Sequence, residues 1–115
     1  MDNRSLPPDD LPPRIPPDWE LARELDVVTG QYFYQDCDRA TQQLLSGCGW
    51  YLSSFINVLT LVIVCPDKNT NWQILKNLDS LATYLKSFAK SARIRIYPPP
   101  GEGTVMEVPV NAEVL

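Results

Sequence analysis

Val58-Leu59-Thr60-Leu61-Val62-Ile63-Val64-Cys65, closed by Pro66, is the stretch on which the fold turns. It is apolar except for Thr60, and most of its side chains are β-branched. Such side chains are stiff at χ1, pack well on a pleated surface and crowd a helix. A run of this length without alternation predicts a strand buried on both faces, at the centre of a sheet. Pro66 has no N–H to give and ends the strand, and Pro66-Asp67-Lys68-Asn69-Thr70 is turn chemistry.

Toward the C-terminus, Trp72, Leu75, Leu78, Leu81, Ala82, Leu85, Phe88 and Ala89 recur every three or four residues. That period predicts one amphipathic helix, capped by Asn69 or Thr70, with Lys86 and Lys90 suited to its negative end. Arg93-Ile94-Arg95-Ile96-Tyr97 alternates strictly and reads as a strand with Ile94 and Ile96 inward. Pro98-Pro99-Pro100-Gly101-Glu102-Gly103 reads as a rigid turn. Residues 104–110 alternate again, so an antiparallel hairpin is expected across 93–110. Glu107 could then pair with Arg93 or Arg95 across strands, and Pro109 places the last strand at an edge. Strand, helix and strand within 58–97 leave room for a right-handed crossover.

Toward the N-terminus, Trp19, Ala22 and Leu25 share a helical face behind Asp18, an N-cap residue type. A short helix over about 19–28 follows, with Gly30 as its stop. From Phe33 the apolar positions run Phe33, Cys37, Ala40, Leu44, Cys48, Tyr51 and Phe55. This predicts a helix over about 31–46, whose extension to 55 competes with a break at Gly47 and Gly49. Residues 1–17 contain six of the eleven prolines and predict a stiff, extended, proline-rich arm. The fold expected is α+β: a small mixed sheet of three or four strands with helices on one face and a C-terminal β-hairpin. Residues 18–115 form its single domain.

Composition narrows the chemistry. The 115 residues carry a formal charge of −4 and no histidine. Ser-His-Asp and Cys-His nucleophiles, histidine-ligated metals and a histidine pH switch are therefore excluded. The three cysteines, Cys37, Cys48 and Cys65, include no Cys-x-x-Cys pair, which fits neither a disulfide framework nor a zinc site. They read as free, buried thiols of a reducing cytoplasm. Asp36-Cys37-Asp38 places its side chains around a helix and not at one ion. No spacing suggests a catalytic residue, a metal site or a cofactor, and a non-enzymatic role is expected.

The charge is unevenly distributed. Residues 1–39 hold nine acids and four bases, 40–66 hold neither, and 67–97 hold two acids and six bases. Net acidity argues against nucleic-acid binding. Lys86, Lys90, Arg93 and Arg95 are the densest cations and form a candidate site for an acidic partner, with a regulatory RNA or small-molecule ligand as the alternative. Residues 48–66 have a mean hydropathy of roughly 1.6, borderline for a membrane span, which leaves a single-span alternative. Ser53, Ser54, Asn57 and Thr60 inside the segment favour buried core instead.

Leu11, Pro12, Pro13, Arg14, Ile15, Pro16, Pro17 and Trp19 form the second candidate site. Apolar side chains on a preformed extended rod suit docking to another protein. The residues from Cys65-Pro66-Asp67 through Trp72 and Arg93-Ile94-Arg95 to Pro98–Gly103 resemble small uncharacterised cyanobacterial proteins. The resemblance covers about the C-terminal half and implies a bacterial cytoplasm and an accessory or assembly role, without residue roles. The function expected is that of an adaptor or assembly factor. It would bind another protein through the arm, the edge strand, or both, and homodimerisation is a further expectation.

Overall fold

Gly47 and Gly49 interrupt the helical period that begins at Phe33, and the chain leaves the helix there to become a strand. In a computed structural model the described residues are 17–111, with side chains described over 21–110. The elements are helices α1 (Pro17–Asp36) and α2 (Arg39–Ser46) and strands β1 (Gly49–Phe55) and β2 (Val58–Val64). Helices α3 (Lys68–Lys76) and α4 (Leu78–Lys86) follow, then β3 (Ser91–Tyr97) and β4 (Met106–Asn111). The α+β fold is thus realised with a four-stranded mixed sheet in the order β1-β2-β3-β4. β2 and β3 pair in parallel through the α3–α4 crossover, and the two outer pairs are antiparallel.

The helices cover one face of this sheet. Across that face the rows read Trp50–Ile63–Ile96–Met106, Leu52–Leu61–Ile94–Val108 and Ser54–Leu59–Ala92–Val110. Phe33, Leu45, Ile74, Leu81 and Leu85 descend from the helices onto these rows and are fully buried, together with Leu61, Ile63, Ile94 and Ile96 at their centre. Trp50 stacks on Tyr34 and meets Phe33 edge-on, which ties α1 to β1.

The structure corrects the sequence expectations for the helices. α1 does not stop at Gly30 but runs through it, because Gly30 is buried against the Trp50 ring and ordered by that packing. The helix expected over 31–46 is broken at Cys37-Asp38. Asp38 adopts an extended conformation and its carboxylate accepts the Thr41 N–H at 2.9 Å, so it starts α2 instead of continuing α1. The extension toward 55 is strand β1, whose apolar residues also fit the preceding helical period. The single helix after Pro66 is two, interrupted at Asn77, whose side-chain amide donates to the Gln73 carbonyl at 2.8 Å. Its cap is Asp67, which accepts the Thr70 N–H at 2.7 Å, and not Asn69 or Thr70.

β2 is central, as its composition predicts, but it is not buried on both faces. Val58, Thr60, Val62 and Val64 point away from the helices, and Val64 is 47 % exposed. Residues 48–66, the alternative membrane span, contain the whole of the β1–β2 hairpin. No helix among the described residues is long and apolar enough to cross a membrane.

Candidate functional site

The uncovered face of the sheet has its own rows, set by the same register. They read Gly49–Val64–Tyr97, Tyr51–Val62–Arg95–Glu107, Ser53–Thr60–Arg93–Pro109 and Phe55–Val58. Val62 is buried because Tyr51 and the Arg95 stem flank it, whereas Val64 stands clear because its neighbour on β1 is Gly49. A groove of about 530 Å³ opens along this face between the aromatic side chains of β1 and the arginines of β3. Its β1 side is apolar: Tyr51 is exposed, and Phe55 and Ile56 are each 75 % exposed.

The β1–β2 turn is unusual in its chemistry. Ile56 and Asn57 have φ of 49° and 63°. Two positive φ values at the centre of a two-residue hairpin match the twist of the strands, and Asn and Gly adopt them readily. A β-branched residue there is strained by roughly 1–2 kcal/mol. Ile56 gains no burial in exchange, so the turn holds an apolar side chain out beside Phe55 at an energetic cost.

The β3 side is cationic but partly neutralised. Glu107 on β4 takes Arg93 Nη1 at 2.7 Å and Arg95 Nη2 at 3.3 Å, so one carboxylate is shared by two guanidinium groups. These bonds, Arg93's foremost, hold the Glu107 carboxyl below its ordinary range. A hydrogen bond with Tyr97, and then Glu107, push the Arg95 pKa up. One positive charge remains over the pair, with donors in a fork suited to a second carboxylate.

The expected cationic cluster is divided by the sheet. Arg93 and Arg95 lie on the uncovered face, while Lys86 ends α4 and Lys90 lines a groove beside Leu25 and Phe88 on the helical side. Sequence alternation places Ala92, Ile94 and Ile96 opposite the two arginines, which is the signal for this separation. Leu11, Pro12, Pro13, Arg14, Ile15 and Pro16, and the side chains of Pro17 and Trp19, lie outside the described residues. Tyr51, Phe55 and Ile56 are not among the candidate residues of the sequence: Tyr51 and Phe55 also fit the helical period that begins at Phe33, and Ile56 lies in the turn after them. Read at period two, Tyr51, Ser53 and Phe55 share one face.

Two other places hold polar or nucleophilic groups. A groove of about 570 Å³ between α1 and the free edge of β1 is lined by Gly30, Tyr34, Trp50 and Leu52. Its carboxylate, Asp26, is engaged by the Ser54 N–H at 3.1 Å and hydroxyl at 2.7 Å, which covers that sheet edge. The thiols of Cys37 and Cys48 are pushed up to about 11 and about 12, in both cases chiefly by burial. Protonated thiols are poor nucleophiles and poor metal ligands. Among the described residues no group of three or more acidic or cysteine side chains could hold a metal ion.

No family model, curated protein or solved structure matches the chain.

Proposed function

We propose that the protein is a non-enzymatic adaptor or assembly factor that binds another protein on the uncovered face of its sheet. The occupant is a peptide segment carrying an apolar side chain next to a carboxylate. The apolar group lies against Tyr51, Phe55 and Ile56, and the carboxylate meets the fork of Arg93 and Arg95. The observation that carries this reading is the exposed, strained Ile56 beside Phe55. An apolar residue held out at a cost to stability is explained by a contact made elsewhere. Charge supports a protein over a nucleic acid, since the chain is net negative and Glu107 already neutralises half of the arginine pair. The edge of β4 is a weaker route than expected for strand addition, because Pro109 lacks the N–H such a contact uses.

Panning a random peptide display library on the immobilised full chain tests the reading. Enriched peptides should pair an aromatic or aliphatic residue with Asp or Glu, and should lose at least tenfold in affinity toward Phe55→Ser and Arg95→Glu. Peptides that bind both variants as well as the parent would refute the site. Salt-sensitive binding of single-stranded RNA, with no peptide enrichment, would refute the class.

A further inference from the structure

α1 has two apolar sides, and the described residues cover only one. At 3.6 residues per turn, Asp26, Gly30 and Phe33 share the side that meets β1. Leu21, Leu25, Val28 and Tyr32 fall on the other side, spaced four, three and four residues apart, and they are between 44 and 58 % exposed. A helix apolar on both sides is ordinarily covered on both. The four-three-four spacing is that of the seam along which two helices pack side by side.

We infer that this stripe is a self-association surface and that its occupant is α1 of a second copy of this chain. Three observations favour a copy over a different protein. The stripe is self-complementary in kind, with leucine, leucine, valine and tyrosine along one helix. Its flanks carry two charges, both acidic: Ala22, Thr29 and Asp36 lie on one side, Glu24 and Gln31 on the other. Glu24 meets Thr29 or Gln31 of the second copy whether the helices run parallel or antiparallel, and Asp36, at the end of α1, meets Gln31 of a parallel copy, so no like charges are opposed along Leu21 to Tyr32. The area is of the right order once the flanks are included. Covering the stripe alone on both copies removes on the order of 800 Å² of surface, and the flanking residues must add the rest of the roughly 1,000 Å² that a specific interface has to clear. Because Asp26 is level with Ser54 near the end of β1, the turns before it project past the sheet and leave the helix approachable.

The proposal is independent of the partner-binding reading, because the stripe and the uncovered sheet face are different surfaces. Sedimentation velocity of the full chain across micromolar concentrations tests it. The expected mass is twice the 13.0 kDa of one chain. Leu25→Glu and Val28→Glu should each restore a single-chain mass with unchanged far-UV circular dichroism, while Phe55→Ser should remain double. As a measurement free of variants, the melting temperature of the parent chain should rise with protein concentration. A single-chain mass at every concentration would overturn the inference, whether residues 1–16 or another protein covers the stripe. A double mass that survives both glutamates would overturn it equally, since the contact would then lie elsewhere.

Discussion

Ile63 and Val64 are adjacent on β2 and point to opposite faces, so truncating each to alanine measures whether the sheet is covered on one side or on two. Ile63 is 0 % exposed and sits between Trp50 and Ile96 beneath the helices. Ile63→Ala removes three buried carbons, about 2.4 kcal/mol at about 0.8 kcal/mol each. The residual cavity raises the loss to about 3–4 kcal/mol. Val64 lies between Gly49 and Tyr97 on the uncovered face, and its two methyls are about half solvated already. Val64→Ala therefore costs about 0.5–1 kcal/mol. Equilibrium urea unfolding followed by tryptophan fluorescence separates the two. With a slope of about 1–1.5 kcal/mol per molar, Ile63→Ala lowers the midpoint by roughly 2–4 M and Val64→Ala by less than about 1 M. Equal losses would refute the reasoning, because they would require a layer of chain over the face on which the binding site is placed.

Three further outcomes follow from the same geometry. Gly30→Ala should stabilise the protein by about 0.5–1 kcal/mol, since helix propensity improves and the added Cβ meets the Trp50 ring at an ordinary 3.8 Å; destabilisation would show that the ring needs a closer approach. Ile56→Asn should raise stability by about 1 kcal/mol in the same urea assay while weakening the selected peptides, and a variant that loses stability would remove the argument from strain. The urea midpoint should also fall at both ends of the pH range. Asp38, held low mainly by the Thr41 hydrogen bond, Asp67, by that of Thr70, and Glu107, by Arg93, stabilise the fold above their ordinary values. That stability is lost as pH falls below about 4. Cys37 and Cys48 titrate higher when folded than the ordinary 9.0, so their contribution is present below that value and lost as pH rises toward 11 and beyond. A midpoint flat from pH 3 to pH 10 would contradict both assignments.

The parts of the fold legible in the sequence are those with a single period. The alternation of Arg93 to Tyr97 and of residues 104–110 announced the β3–β4 hairpin, and Glu107 pairs with both arginines as the register allows. Where two periods coincide, the sequence was ambiguous. Tyr51 and Phe55 are four apart, and so share a helix face as well as a strand face, and only the glycines before them marked the change. Half of the candidate site went unrecognised for this reason. The arginines were legible as cations, but their separation from Lys86 and Lys90 depends on which side of β3 the helices occupy.

Taken alone, the amino-acid sequence determined the α+β class, the central position of β2, the parallel crossover and the absence of histidine chemistry. Each follows from local composition or from short-range periodicity. Tertiary structure decided which face of β2 is covered, because a continuous apolar run carries no record of sidedness. It also decided that Gly30 lies inside a helix and that a second apolar side of α1 is left exposed among the described residues. Helix propensity opposes the first, and the second depends on where β1 lies, some twenty residues further along the chain. Burial is a property of neighbours brought together from distant positions, and the two surfaces proposed for binding are defined by what those neighbours leave uncovered.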